Sequence, residues 1–390
     1  MTDDRIYFDH AATTALRPEV QAAMLPFQVE YFGNASSLHT EGQAAHAALE
    51  EARTRILHCL QATDFRAVFT ASGTEADNSA LIGAVLAARE STTQGSYHVV
   101  ATAIEHSAVL EALPLVEALG GCVTVVDVDS SGCVDPKRVE AALRDDTILV
   151  SVMAVNNETG VVQPIAEIGE RLKARRVLFH TDGVQIVGKL SLDLSTLPVD
   201  LVSLSAHKIY GPKGVGCLLL REDVPWCPWL RGGAQEVGLR AGTENVAAAV
   251  GFARALELAE EEREFVMQRL ETLREDIEQA VRAGIPQVVV NGCECERVAT
   301  ILNLSFRDAN GEALVRRLDH DGIAVSTGSA CNVGAHKSSH VLSSMGRSER
   351  EVRGAIRISL GRENHAREVD RFVERLQAAH EHLSRLAPRK

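Results

Sequence analysis

The segment SLSAHKIYGPKGVG, residues 203–216, places Lys208 between an apolar strand-like run and a glycine–proline turn. A surface lysine needs no such surroundings, and a buried ammonium group is unfavourable unless a neighbouring group pairs with it or uses it. A lysine amine held in this way is suited to covalent catalysis, because it forms a Schiff base with a carbonyl group. Lys208 is therefore the first candidate catalytic residue, and a purely structural lysine is the alternative.

Further polar residues follow other apolar runs. TASGTEADN places Gly73 and Thr74 at a strand-to-helix turn, where backbone amides and the helix dipole favour a phosphate. In FHTDGVQ (179–185), Asp182 lies just past an apolar run and Gln185 lies three residues further on, and His106 lies at the end of another such run. Each also has an ordinary interpretation as a helix cap, a surface amide or a hydrogen-bonded histidine.

In combination with Lys208, these residues match the requirements of pyridoxal phosphate. The lysine forms the Schiff base, and a carboxylate keeps the pyridine nitrogen protonated so that the ring accepts electrons. A histidine can lie flat over the ring, and the beginning of a helix binds the phosphate. The combination favours a pyridoxal phosphate site over several unrelated structural roles.

The elements that position these residues alternate between β-rich runs and helical patterns. The β-rich runs cover residues 66–70, 97–103, 122–128, 147–155, 177–183, 200–206 and 215–221. Helical patterns, such as residues 74–90 and 164–176, lie between several of them. Near-continuous apolar strands with intervening helices predict an α/β fold with a mostly parallel sheet covered by helices on both faces.

The last third of the chain predicts a smaller α+β domain. A charged helix over residues 255–284 leads out of the first domain, and β-rich runs at 299–307, 323–327 and 355–360 follow, with a helix near 311–321. We assign residues 16–262 to the large cofactor-binding domain, and residues 1–15 with 263–390 to the small domain.

Composition excludes several classes of protein. The 390 residues carry a formal net charge of −13 without a basic block, which argues against direct binding of nucleic acid or an anionic membrane. The acidic amino-terminal sequence differs from a signal peptide, and no apolar run reaches the roughly 18–20 residues of a membrane helix. Eight cysteines in a chain of this length are not a disulfide framework. We therefore expect a cytoplasmic protein.

A set of motifs resembles one known family. In chain order they are GNASSLH (33–39), SGTEADN (72–78), EHSAV (105–109), VNNETGVVQPI (155–165), HTDGVQIVGK (180–189), SAHKIYGPKGVG (205–216), RAGTEN (240–245) and STGSACN (326–332). The chain resembles the cysteine desulfurases of the NifS/IscS type, within the aminotransferase class V group of fold-type I pyridoxal phosphate enzymes. The resemblance extends from YFDHAATT (7–14) to AIRISLGREN (355–364).

The resemblance implies roles around the cofactor. Lys208 is the implied Schiff-base lysine, Asp182 the partner of the pyridinium nitrogen, and His106 the residue that stacks on the ring. Gln185 and Asn157 are implied to hydrogen-bond the oxygen side of the ring. The residues implied to hold the phosphate are Gly73, Thr74, Ser205 and His207.

The resemblance also implies contacts to a second subunit and to the substrate. Thr243 would reach the phosphate of the neighbouring subunit, which implies a homodimer. Arg357 would clamp the substrate carboxylate with its planar fork, helped by Asn34.

Cys331 determines which reaction is expected. It lies in STGSACNVGAHKSSH, a segment of small and polar residues between a strand and a helix, where an exposed thiol can ionise and attack. The alternatives are an accidental surface cysteine, or a zinc site with the i, i+4 pair His336 and His340. No fourth zinc ligand is evident in the sequence, so we predict no metal.

The resemblance therefore implies removal of sulfur from L-cysteine, with L-alanine as product and a persulfide on Cys331. The sulfur would pass to an acceptor or scaffold protein of iron–sulfur cluster assembly or of a thiolation pathway. A selenocysteine lyase or a small-amino-acid aminotransferase of the same fold is an alternative, although an aminotransferase does not need Cys331. An alternative of another class is a non-catalytic scaffold subunit of a sulfur-transfer complex, which would have no use for Arg357. CNVGAHKSSH departs from the small hydroxyl residues usual after this cysteine, so the family does not identify the acceptor.

Overall fold

The computed structural model describes residues 5–91, 96–327 and 338–386. The strands, in chain order, are β1 (Ile6–Tyr7), β2 (Phe65–Thr70), β3 (His98–Thr102), β4 (Cys122–Val126), β5 (Thr147–Ser151), β6 (Leu178–Asp182), β7 (Leu201–Ser205), β8 (Gly216–Arg221), β9 (Val289–Asn291), β10 (Ile301–Ser305), β11 (Ile323–Ala324) and β12 (Ala355–Ser359). The helices, in chain order, are α1 (Pro18–Met24), α2 (Pro26–Val29), α3 (Thr40–Cys59), α4 (Gly73–Ser91), α5 (Ser107–Leu110), α6 (Leu113–Ala118), α7 (Pro136–Ala141), α8 (Ile165–Lys173), α9 (Val246–Gly284), α10 (Gly311–His320), α11 (His340–Ser344), α12 (Glu349–Arg353) and α13 (Ala366–Leu386). Short 3₁₀ turns cover Ala206–Lys208 and Glu236–Gly238.

All seven β-rich runs predicted in the first two-thirds form strands of one sheet. Its strand order is β2-β8-β7-β6-β5-β3-β4, and only the pairs that include β8 are antiparallel. Successive residues of β8 pack on opposite sides, since Cys217 and Leu219 belong to one apolar cluster and Leu218 and Leu220 to another. This alternation is the period-two pattern of a strand buried on both faces. The predicted α/β fold with a mostly parallel sheet is confirmed.

The sheet brings the carboxyl ends of several strands to one edge. Strands β5, β6 and β7 are parallel neighbours, and Asp182 at the end of β6 pairs in register with Ser203 of β7. Strand β2 is antiparallel to β8, which is antiparallel to β7, so β2 ends at the same edge. Helix α4 begins there, where the Ser72 hydroxyl accepts a hydrogen bond from the Glu75 amide at 3.1 Å. Ligands of open α/β sheets bind at such an edge.

A second, antiparallel sheet has the strand order β12-β10-β9 and its own apolar core. The amino-terminal segment joins this core, because β1 pairs with β11 and Phe8 packs against Phe372. The 39-residue helix α9 connects the two cores, contributing Phe252 to the first and Ile277 to the second. The domain boundaries assigned from the sequence remain a prediction.

Two findings concern membrane spans and disulfides. In the described ranges, no helix is both long and apolar enough to cross a bilayer. The cysteines within those ranges carry free thiols, of which Cys217 is buried and Cys122 and Cys293 are exposed.

Candidate active site

A cavity of about 350 Å³ opens at the sheet edge where the strands end. Ten of the thirteen site residues predicted from the sequence line it, and they come from segments far apart in the chain. These ten are Gly73, Thr74, His106, Asn157, Asp182, Gln185, Ser205, His207, Lys208 and Arg357. The fold therefore brings the predicted cofactor and substrate residues together, whereas the role of each residue remains a prediction.

Lys208 lies at the end of the 3₁₀ turn that follows β7 and is half-buried. Its Nζ donates hydrogen bonds to the backbone carbonyls of Ala11 at 2.7 Å and Ala12 at 2.8 Å. These carbonyls belong to the amino-terminal segment, so the lysine is held across the cavity by residues nearly two hundred positions away. Neutral carbonyl acceptors hold the amine without neutralising its charge.

One end of the cavity presents groups that suit an anion. Gly73 begins the 19-residue helix α4, and Thr74 follows in its first turn. A Cβ on Gly73 would lie 3.0 Å from Val184 Cγ2 and 3.2 Å from Ser205 Cβ, so a side chain here would press on both neighbours. Ser205 is buried, and its hydroxyl has no hydrogen-bond partner within the described chain. Unsatisfied donors at a helix amino terminus form an anion site.

His207 extends this anion site as a neutral group. Its Nδ1 lies 3.1 Å from the Thr13 hydroxyl. Burial and the charges of Lys208 and Lys213 lower the pKa of His207 to about 4. At neutral pH the imidazole therefore offers a hydrogen bond without a positive charge.

Asp182 faces the cavity from the end of β6 and is almost completely buried. Burial raises the pKa of Asp182, and the opposing influences are the charge of His106, the Val184 amide and the charge of Lys208. The Val184 amide donates to Asp182 Oδ1 at 2.9 Å and fixes the carboxyl group. A carboxylate held among cationic groups is suited to pair with a protonated ring nitrogen.

Gln185 is oriented by a residue that the sequence interpretation did not single out. Lys189 Nζ donates to Gln185 Oε1 at 2.7 Å, and Gln185 Nε2 donates to the Ala11 carbonyl at 3.2 Å. Burial and the charges of Lys208 and Arg357 lower the pKa of Lys189 to about 7. The amide group of Gln185 is thus fixed with its nitrogen toward the amino-terminal segment.

Arg357 reaches the cavity from β12 of the second sheet. Nη1 donates to the Asn157 carbonyl and Nη2 to Asp9 Oδ1, both at 2.9 Å. Its Nε is buried and has no hydrogen-bond partner among the described residues. A buried guanidinium with an unsatisfied N–H is prepared to accept a carboxylate.

Cys331 and His336 lie outside the described residues, but the chain on both sides of that segment is placed at the site. Before it, Ser326 exchanges two backbone hydrogen bonds with Arg357, at 2.6 and 3.1 Å. After it, the Ser339 hydroxyl donates to Glu158 Oε2 at 2.5 Å. His340 Nε2 lies 2.9 Å from the carbonyl oxygen of Glu105, the residue before His106. His340, one of the two histidines considered as zinc ligands, therefore contacts the backbone beside the cavity.

Asn34 and Thr243 are the two predicted residues that the structure does not bring to this cavity. Both are exposed, and Asn34 accepts a hydrogen bond from the Ser36 amide at 2.9 Å. Within one chain, neither residue is among those that line the cavity.

The sequence interpretation missed three residues that belong to the site. Asp77 lines the cavity, Lys189 holds Gln185, and Asp9 pairs with Arg357. Each lies inside a motif that was singled out: SGTEADN, HTDGVQIVGK and YFDHAATT. Their positions in these motifs could have indicated that they belong to the site. Roles were instead assigned to other residues of the same motifs.

The residues present fit pyridoxal phosphate at three points. The unpartnered Ser205 hydroxyl and the first turn of α4 suit its phosphate, and the buried Asp182 carboxyl suits its ring nitrogen. The Lys208 amine reaches across the same cavity and suits its aldehyde. This donor set matches the cofactor's anionic, cationic and electrophilic groups.

Comparison with known proteins agrees with this site. Residues 6–372 match the aminotransferase class-V family, and the chain belongs to that family. Its enzymes generally depend on pyridoxal phosphate.

Individual relatives within this family show which of its enzymes the chain is similar to. The chain is 41% identical to the cysteine desulfurase IscS of Dictyoglomus turgidum, over 99% of this chain and 97% of that protein. Among solved structures, a NifS-like protein superposes with a TM-score of 0.89 at 36% identity, covering 97% of this chain and all of that one. SspA, solved in complex with cysteine, has a TM-score of 0.77 at 34% identity over 91% of this chain and 98% of its own. The resemblance to desulfurases of the NifS/IscS type is confirmed.

Proposed function

We propose that this chain is a pyridoxal-phosphate-dependent cysteine desulfurase. It converts L-cysteine to L-alanine and leaves the sulfur as a persulfide on Cys331. The observation that carries this proposal is the convergence of Lys208, Asp182 and Arg357 on one cavity. On either side of the Cys331 segment, Ser326 bonds to the Arg357 backbone and His340 contacts the Glu105 carbonyl. The full-length similarity to cysteine desulfurases supports it.

The residues divide between holding the cofactor and handling the substrate. Lys208 would hold pyridoxal phosphate covalently, Asp182 would face its ring nitrogen, and Gly73, Thr74, Ser205 and His207 would hold its phosphate. When bound, the cofactor supplies an electron sink that weakens the Cα–H and Cβ–Sγ bonds of the substrate. His106 would cover the ring, while Gln185 and Asn157 would contact its oxygen side.

Side chains of this protein carry out one proton transfer and one sulfur transfer. The Lys208 amine removes the Cα proton, and the backbone carbonyls of Ala11 and Ala12 accept hydrogen bonds from the resulting ammonium group. The Cys331 thiolate attacks the substrate sulfur, and the Cβ–Sγ bond breaks with its electron pair moving to Cβ. Arg357 orients the substrate carboxylate throughout.

The direct test is turnover of L-cysteine by the purified protein in the presence of pyridoxal phosphate and a thiol reductant. We expect a yellow protein that releases L-alanine and sulfide in equal amounts. Turnover of selenocysteine but not of cysteine would identify a selenocysteine lyase, and amino-group transfer to a 2-oxo acid would identify an aminotransferase. A protein that binds the cofactor and turns over none of these substrates would support the scaffold alternative.

Replacement of Arg357 is expected to affect recognition of the substrate carboxylate. We expect Arg357→Ala to lower kcat/KM for L-cysteine by about 10²-fold, since a charge-assisted, forked contact is lost. Wild-type protein should discriminate by a similar factor between L-cysteine and L-cysteine methyl ester, and the variant should not.

The matched control for this prediction is Arg353→Ala, at an exposed arginine four residues earlier in α12. It should retain both kcat/KM and the discrimination. Equal losses for L-cysteine and its methyl ester in Arg357→Ala would mean that Arg357 only stabilises the fold through Asp9.

We also propose a homodimer in which Thr243 of each subunit contacts the phosphate bound by the other. Exposed apolar side chains are concentrated around Asn34, including Phe32 at 73% and Leu38 at 91% exposure. Val237 is 90% exposed and has a φ of 56°, which is unfavourable for a β-branched residue. Large exposed apolar groups mark protein interfaces, and a second copy would cover them.

The dimer predicts a defined effect of an interface charge. Leu38→Asp should convert a dimeric mass in sedimentation equilibrium to a monomeric one and weaken retention of pyridoxal phosphate. Phe265→Asp, at a similarly exposed position of α9, is the control and should remain dimeric. A monomeric wild-type protein that binds the cofactor tightly would contradict the proposal.

The remaining assignments follow from the same chemistry. The sulfur acceptor is expected to be a protein of iron–sulfur cluster assembly or of a thiolation pathway. We expect the cytoplasm as the location, because the reaction needs Cys331 as a free thiol and a reducing compartment keeps thiols reduced.

A further inference from the structure

A buried polar chain lies behind the wall of the cavity and ends at Asp77. His180 is fully buried, with Nδ1 2.9 Å from the Ser151 hydroxyl and Nε2 2.9 Å from the Ser203 hydroxyl. His180 Nε2 also lies 3.6 Å from Asp77 Oδ1. Asp77 is 1% exposed and lines the same cavity as Asp182. The proposed reaction gives no role to these four residues, Ser151, His180, Ser203 and Asp77.

The surroundings of Asp77 disfavour a negative charge. Its Oδ1 has no hydrogen-bond partner among the described residues. The titratable groups that face it are Asp182 and Glu105, which are acidic, and His180. Burial lowers the pKa of His180 to about 3, so this imidazole is neutral and supplies no counter-charge. Burial and repulsion by Asp182 raise the pKa of Asp77 well above its usual range.

Asp182 differs from Asp77 in having cationic neighbours. His106, Lys208 and Lys189 all favour its ionised form, and the Val184 amide donates to it. Two adjacent buried carboxyl groups cannot both ionise without a large electrostatic cost. The single negative charge of the pair therefore resides on Asp182.

We propose that Asp77 is a positioning residue that stands in the site as a neutral carboxylic acid, so that Asp182 alone presents a charge to the pyridine nitrogen. The inference rests on the proposed function for the identity of the ligand, but the protonation of Asp77 is a property of the protein itself. Ser203 is its hydrogen-bonding neighbour and His180 faces it as a neutral ring, so neither supplies a counter-charge. An ionised Asp77 would add a second negative charge beside the bound cofactor.

The first experiment measures protonation in the protein without cofactor. Infrared spectra at neutral pH should show neutral-carboxyl C=O stretching bands that shift when aspartate is labelled with carbon-13. Asp77→Asn should remove the aspartate band. Glu105→Gln is the control, because burial raises the pKa of Glu105 to about 8 and its neutral band should respond to glutamate labelling only. A wild-type protein without an aspartate band, or an Asp77→Asn variant that retains it, would overturn the proposal.

The second experiment uses the cofactor-loaded protein and follows its visible absorption against pH. A neutral Asp77 predicts that Asp77→Asn leaves the titration midpoint within about 0.3 pH units of wild type, since one neutral group replaces another. Removal of a nearby negative charge would instead lower the midpoint by about one unit or more. Such a shift would refute the neutral acid.

The two readouts separate the inference from the proposed function. A protein that never binds pyridoxal phosphate would refute the proposed function, while the infrared bands would still decide the state of Asp77. The labelling comparison also needs only wild-type protein, so the absence of an aspartate band would still overturn the inference if Asp77→Asn does not fold.

Discussion

Replacing Lys208 by alanine is expected to lower L-alanine formation from L-cysteine by at least about 10³-fold, because a positioned general base contributes roughly that factor. The variant also loses the covalent hold on the cofactor that we propose for this side chain. Lys208 Nζ donates to the neutral backbone carbonyls of Ala11 and Ala12, and without this lysine Asp182 still has the charges of His106 and Lys189 and the Val184 amide. The fold should therefore persist, and thermal unfolding should show it.

Two comparisons distinguish a catalytic lysine from a lysine that merely adds charge. Lys213→Ala, at an exposed lysine in the following glycine–proline turn, should retain full activity. Added ethylamine should restore part of the activity of Lys208→Ala, because a small amine can occupy the vacated space and take the proton. A Lys208→Ala variant with the wild-type rate would refute the assignment of Lys208 and with it the cofactor chemistry.

The large sheet was predictable because its signal is local. The runs at 200–206 and 215–221 became β7 and β8 with boundaries shifted by one residue at most. Apolar residues in runs of this length, separated by helical patterns, leave few alternatives to buried strands. The cavity residues at strand ends were predictable for the same reason, since parallel strands end together.

Contacts between distant segments were not predictable in this way. Lys208 and Ala11 are 197 positions apart, and Arg357 and Asp9 are 348 positions apart. Nothing in the local pattern states that the amino-terminal segment crosses the cavity and supplies these acceptors. The sequence suggested that this segment packs on the small domain, and the structure adds that it also closes the site.

The spacing of the histidines after Cys331 does not by itself define their contacts. An i, i+4 pair near a cysteine is compatible with zinc, yet His340 Nε2 contacts the Glu105 carbonyl. Glu105 in turn accepts hydrogen bonds from the Thr102 hydroxyl at 2.5 Å and from the Met153 amide at 2.9 Å. The position of His340 thus depends on the loop that carries Glu105 and His106. This loop comes near His340 only in the folded protein, because the two segments are far apart in the sequence.

Replacing Cys331 by serine is expected to abolish persulfide formation and to lower L-alanine formation by at least about 10²-fold. In the balanced step, L-cysteine and the Cys331 thiol give L-alanine and a Cys331 persulfide, with no external oxidant or reductant. A serine hydroxyl cannot accept sulfur in this way, because at neutral pH it is neither ionised nor nucleophilic toward sulfur. Mass spectrometry of intact protein after L-cysteine treatment without reductant should show one added sulfur atom in wild type and none in the variant.

Cys293→Ser is the matched control, since Cys293 is exposed and lies away from the cavity lining. It should gain the sulfur atom and release L-alanine as wild type does. If Cys331→Ser still transfers sulfur to an acceptor protein at the wild-type rate, another thiol carries the persulfide and Cys331 is an accidental surface cysteine. If it releases no L-alanine but exchanges amino groups with 2-oxo acids, the cavity retains its proton chemistry without the thiol. That second result would show that Lys208, Asp182 and Arg357 perform the general chemistry of the fold, and that Cys331 directs it to sulfur.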